Sequence, residues 1–421
     1  MKKIFFVIVL LSCFTAKASF SDWFTGKTLR VDYIHSGDSK SENYAVSLVK
    51  MEPYWGGSKT NLVDTLKYGR YYFKVFDQAS GRLLYSKGYC SLFGEWQWTD
   101  EAKKTSRAFS ESIVCPFPKK DVRIKFFSVN KLGKFEKRFQ YKIDVKSLFI
   151  NSEVEIYPVY DAYIMGEPEK KVDVVILPDG YTAAEMDKFK SDCDSLVKNI
   201  FSFEPYRNNK DKFNFRGVLA PSQESGVDNP GLHIYKRTLL NTSYYTTNSE
   251  RYLMTSDFSR VCDVAANAPY DQVIILINNK KYGGGGIYNF YTATVNGNAA
   301  SVKLIIHEFG HGFAGLADEY DDGSTSYNDM YPLNIEPWEP NITTLVHFEK
   351  KWKDMLPPKT LIPTPLKAAS KNTLGVYEGA AYVNKGIYRP EPDCLMRTFR
   401  GNEFCPVCQR AIQRMIDFYC K

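Results

Sequence analysis

Apolar and polar residues alternate in short runs through the first third of the chain. Beyond residue 153 the pattern turns to continuous apolar runs separated by stretches of helical spacing. Period-two alternation rich in aromatic and β-branched residues predicts strands over 29–34, 71–76, 83–89, 122–129 and 139–145, with a turn at Ala79-Ser80-Gly81. These short strands predict an N-terminal all-β sandwich over 19–152. Residues 172–177 are an apolar run broken only by Asp173, fit for a buried strand, and Pro178-Asp179-Gly180 closes the run. Thr182-Ala183-Ala184-Glu185 then has capping-box spacing, so a helix should follow to about Phe203. Further strands over 213–219 and 272–277 make 153–421 an α/β domain with a mixed sheet. A second helix is expected over 301–315, where Leu304, Ile305, Ile306, Phe309 and Phe313 are apolar and no proline intervenes. No internal repeat or low-complexity segment interrupts this order.

Composition changes the picture in three places. A chain of 421 residues with 44% hydrophobic and 24% charged residues is globular, is long enough for two domains, and has no run of about twenty apolar residues to span a bilayer. The net charge of +7 is too mild to argue for nucleic acid. The basic stretch 119–146, interleaved with Phe126, Phe127, Phe135 and Phe139, reads as strands with one solvated face. Met1-Lys2-Lys3, the apolar run 4–11 and Ala16-Lys17-Ala18 together predict a signal peptide over 1–18 and hence an exported protein: periplasmic, cell-surface or secreted. A competing reading takes Leu10-Leu11-Ser12-Cys13 as a lipoprotein box, with Cys13 an outer-surface lipid anchor. Export favours pairing of the eight remaining cysteines, with Cys90–Cys115 and Cys193–Cys262 the expected bonds.

Candidate chemistry gathers at His307-Glu308-Phe309-Gly310-His311. On a helix, residues four apart share a face, so both imidazoles can direct a nitrogen at one metal ion, while Glu308 can act on a water there. Catalytic zinc takes three protein ligands and an open position. The usual metzincin spacing would put the glycine and the third ligand at positions that hold Ala314 and Ala317. A shift of one residue restores the spacing through Gly315-Leu316-Ala317-Asp318, which nominates Asp318 as third ligand, with Glu319 its competitor. Met396, in Cys394-Leu395-Met396-Arg397, would be the Met-turn methionine. Cys405-Pro406-Val407-Cys408 with Cys394 and Cys420 could bind a second, structural zinc, although disulfides are the plainer reading in an exported chain. Gly283 to Gly286 lack the ending of a phosphate loop and suit a rim or edge strand. Ser222, Ser225 and His233 have no triad spacing, and His35 reads as an ordinary exposed or hydrogen-bonded residue.

These motifs together resemble the IgA-peptidase family of bacterial metzincin-like zinc metallo-endopeptidases, which often carry an N-terminal β domain. The resemblance implies a zinc-dependent endopeptidase with His307 and His311 as ligands, Glu308 as general base and a protein or peptide as substrate. Two other readings stay open: a non-catalytic surface-binding protein with a structural zinc, and a zinc hydrolase of a non-peptide amide.

Overall fold

The computed structural model describes residues 19–323, 330–366, 372–401 and 403–421. The expected leader over 1–18, with Cys13, lies outside the described residues. A four-residue helix, α1 (Phe20–Trp23), opens the first half. Its strands are β1 (Phe24–Gly37), β2 (Glu42–Glu52), β3 (Tyr71–Asp77), β4 (Leu83–Tyr89), β5 (Arg107–Pro118), β6 (Val122–Val129), β7 (Phe135–Ile143) and β8 (Ile150–Asn151). A short helix, α2 (Leu92–Trp96), precedes β5. The strands form two four-stranded sheets, ordered β5-β1-β2-β8 and β4-β3-β6-β7. In β6 the pleat sends Val122, Ile124 and Phe126 inward, where they share a core with Leu29, Val31 and Tyr33 of β1. The basic residues of this stretch, Lys125 and Lys142 among them, fall on the wetter face or on the exposed β7.

Strand β1, expected over 29–34 from its alternation, is buried on both faces from Thr28 to Tyr33. Its second face carries Arg30, whose guanidinium meets Asp32 at 2.8 Å, Glu52 at 3.0 Å and Asp263 of the second half at 2.8 Å. His35 is fully buried and hydrogen-bonded, with Glu111 at 3.0 Å and Glu42 at 3.3 Å, and stacks on Tyr44. Burial pulls its pKa down, but the two carboxylates outweigh that and carry it above 6.5.

The second half is built on a six-stranded sheet of β9 (Val159–Tyr163), β10 (Val172–Asp179), β11 (Phe213–Val218), β12 (Gln272–Asn278), β13 (Gly284–Ile287) and β14 (Tyr291–Asn296), in the order β13-β14-β12-β10-β11-β9. The four inner strands are parallel and both edge strands antiparallel, so the sheet is mixed as expected. Helix α3 (Met186–Ile200) follows the capping box, in which Thr182 N–H donates to Glu185 Oε2 at 2.9 Å. Val174 and Ile176 face α3, α5 (Ser301–Ala314) and α6 (Pro406–Tyr419), whereas Val175 and Leu177 face α4 (Phe258–Ala265). A hairpin of β15 (Tyr377–Ala380) and β16 (Val383–Arg389) forms a separate two-stranded sheet that packs on Ala317 and Ile342. Among the described residues no helix is long and apolar enough to cross a membrane.

The expected disulfides are not formed: all eight described cysteines are free thiols. Cys193 on α3 and Cys262 on α4 pack into the cores on opposite faces of the six-stranded sheet, which separates them. Cys115 faces the sandwich core from β5, whereas Cys90 lies past the end of β4, where its amide donates to Tyr288 of the second half. Cys420 sits at the end of α6, its thiol donating to Lys212 O at 3.5 Å.

Candidate metal centre

Helix α5 is apolar around most of its circumference, so it is held between the sheet and α6, and His307 and His311 leave it on the one side that opens to a cleft. Strand β13 lies against this helix so closely that a Cβ on Gly286 would meet the Glu308 carbonyl oxygen at 2.0 Å. The glycine run is therefore an edge strand that packs backbone to backbone on the histidine helix.

Gly315 ends α5 in the left-handed region (φ 62°), with its N–H shared between the carbonyls of Gly310 and His311. The chain then doubles back, Leu316 N–H donating to Gly310 O, and brings Asp318 over the histidines. Asn341 holds this return in place, accepting from Ala317 N–H at 2.8 Å and donating to Ala317 O at 2.9 Å. Gly315→Ala is expected to cost at least about 1–2 kcal/mol from the backbone alone. The added Cβ would also meet the Trp338 ring at 2.6 Å. A lowered thermal midpoint together with weakened metal binding checks this.

His307 Nδ1 lies 2.9 Å from Leu395 O and His311 Nδ1 lies 2.5 Å from Leu316 O. A carbonyl can only accept, so both Nδ1 atoms carry a proton, and in the neutral rings that bind a metal the Nε2 atoms present the lone pairs. Those Nε2 atoms are 3.1 Å apart, and Asp318 Oδ1 lies 3.0 Å from one and 3.3 Å from the other. Three donor atoms thus converge on one point, and Asp318 Oδ1 is buried without a hydrogen bond. Ligands about 2.0–2.1 Å from a tetrahedral ion sit about 3.3 Å apart, so this triangle has the right size for one. The other carboxylate oxygen is fixed by Tyr320 OH at 3.0 Å and Tyr382 OH at 2.6 Å. Burial opposes charge on His311, yet Asp318 carries its pKa up to about 9, and the histidines hold Asp318 well below its ordinary value. The pocket favours positive charge at the point where the three meet.

Glu308 lines the same cleft, and burial raises its carboxyl above the usual range against the pull of His307 and His311. The cleft holds about 1310 Å³ and is walled by both halves of the chain: Arg70, Trp98 and Leu132 from the first, Tyr252, Tyr282 and Trp338 from the second. Met396 is fully buried beneath α5, its sulfur 3.1 Å from where a Cβ on Gly310 would stand. Glu319 points away from the histidines, toward Cys408 and Asn341. Ser222 is committed to backbone support, accepting from Gly180 and Leu239 N–H groups. Tyr382 and Asn341 were not found from the sequence, because each reaches the site from a segment with no motif of its own, and the Leu395 carbonyl was missed because a backbone group leaves no mark on the motif that carries it.

A helix pair of imidazoles and a returning carboxylate, lining an open cleft, define a candidate metal centre. Residues 163–373 and 367–416 match the family model described as IgA Peptidase M64, and residues 19–140 match the model of the Peptidase M64 N-terminus. The chain belongs to the IgA peptidase family, with its N-terminal domain and its peptidase region both present. Among curated proteins no relative matches.

Proposed function

We propose that the protein is an exported zinc endopeptidase with a metzincin-like catalytic domain over 153–421, an N-terminal sandwich over 19–152 and a leader over 1–18. The observation that carries this is the convergence of His307 Nε2, His311 Nε2 and Asp318 Oδ1 within 3.0–3.3 Å, beside Glu308 and a cleft wide enough for a peptide. Two nitrogen donors and one oxygen suit zinc, and three protein ligands leave a position for water. Bound there, zinc would lower the pKa of a water and polarise the scissile carbonyl. Glu308 takes the proton from the attacking water and returns it to the leaving amine. Tyr320 and Tyr382 keep Asp318 oriented, and the carbonyls of Leu395 and Leu316 keep both Nε2 atoms turned to the metal. Gly286 has the same register parity as Gly284, whose N–H and C=O bond outward to Arg251 and Leu253. Its own backbone groups therefore face the cleft side of the edge strand, where an extended substrate can pair with them.

The test is cleavage of an unstructured general substrate such as casein by the zinc-loaded mature chain. Activity should be lost to a chelator and restored by zinc in the wild type but not in Asp318→Ala. Absence of cleavage across a panel of proteins and peptides by metal-loaded protein would overturn the reading in favour of a non-catalytic binding protein.

A further inference from the structure

One residue beyond Asp318, the chain presents a second carboxylate to a different set of donors. Glu319, Cys394, Cys405 and Cys408 are all buried, with exposures of 0%, 2%, 3% and 0%. One donor atom from each lies within 4.8 Å of all the others. Cys394 Sγ and Cys408 Sγ are 3.8 Å apart, and Cys408 Sγ lies 3.3 Å from Glu319 Oε1. A disulfide would need about 2.05 Å. Around a tetrahedral zinc with sulfur at about 2.3 Å and oxygen at about 2.0 Å, sulfurs sit about 3.8 Å apart and a sulfur and an oxygen about 3.5 Å. These two separations match a coordination shell and not a covalent pair.

Two further observations point to a ligand. Glu319 Oε2 is fully buried and accepts no hydrogen bond, while Asn341 Nδ2 fixes the other oxygen at 2.9 Å. The sulfurs are met by backbone amides in the way thiolates are: Cys405 N–H lies 3.2 Å from Cys394 Sγ, and Cys408 N–H lies 3.5 Å from Cys405 Sγ.

We propose that Glu319, Cys394, Cys405 and Cys408 form a second, closed metal site for a thiophilic divalent ion such as zinc, with Glu319 in the place expected for Cys420. Four protein ligands leave no open position, so the role is structural. Its location gives that role content. Glu319 N–H donates to Met396 O at 2.7 Å, and the neighbouring Leu395 carbonyl orients His307. Cys405 is the N-cap of α6. The ion would therefore tie the turn that carries Asp318, the Met396 turn and the start of α6 into one unit. The inference stands on this geometry alone and does not require that the histidine site be catalytic.

Metal analysis of the full mature chain tests it. Wild type should carry two ions per chain, and His311→Ala should keep one, held by the thiolates. Cobalt substituted into His311→Ala should give intense sulfur-to-metal charge-transfer absorption, and Cys408→Ser should remove it. If Cys408→Ser does not fold, the cobalt spectrum of His311→Ala still decides, because its thiols are intact. A single ion in wild type with none in His311→Ala, or a mass two units low that marks a disulfide among these cysteines, sinks the proposal.

Discussion

Glu308→Gln is expected to retain its zinc and lose its activity. Glutamine has nearly the shape of glutamate, and Glu308 is not among the three groups that converge on the candidate metal position. Binding at His307, His311 and Asp318 should therefore be unchanged. On the proposed mechanism what is lost is the proton acceptor, and a positioned general base contributes on the order of 10²- to 10⁴-fold. The expected result is a fall in kcat of that size with KM little altered, since the carboxylate acts on water and not on the bound chain. Single-turnover cleavage with parallel metal analysis checks both halves. Activity near wild type in a zinc-loaded Glu308→Gln would remove Glu308 from the mechanism.

The largest expected effect on stability is at Arg30. Its guanidinium is the common partner of Asp32, Glu52 and Asp263, and Glu52 is only 1% exposed. Arg30→Ala leaves carboxylates in the interior without their cation, a change that costs about 3–5 kcal/mol for a buried pair. Burial already pushes Glu52 up to about 7 against the pull of Arg30, and without that pull its folded pKa rises further. A carboxyl whose folded pKa exceeds the unfolded value of 4.5 destabilises the fold at high pH and is relieved as pH falls. The loss in Arg30→Ala should therefore be greatest at neutral pH and shrink on acidification, and Arg30→Met with Glu52→Gln should recover part of it. Urea unfolding across pH measures this, and a pH-independent loss would contradict it.

The grouping of His307, His311 and Asp318 was legible because two of them lie on one helix. The four-residue spacing of His307 and His311 fixes their common face, and Gly315 announces the turn that returns Asp318. Glu319 was not legible in the same way. From the sequence it competes with Asp318 for one metal, and only folding shows the two side chains directed to different donor sets, since Cys394 to Cys408 lie far along the chain. The cysteines misled for a related reason. Export chemistry argues for pairing, but whether two sulfurs meet depends on which face of a sheet each helix covers. In the first half, β2 and β5 were missed because ionic and hydrogen-bonded groups such as Glu52, Glu111 and Ser112 are buried there, and inward polar residues erase the period on which a strand is recognised.

The core that begins between the two sheets of the sandwich does not end there. It runs through Phe258 and Val261 to Val175, Leu177 and Ile275 on one face of the six-stranded sheet. The N-terminal region is thus no detachable appendage but half of the peptidase region's own interior. A chain cut to the 163–416 region should expose that face to water and aggregate when expressed, so soluble, active protein from such a truncation would show the shared interior to be dispensable. Substitutions that adapt one half must remain compatible with the other.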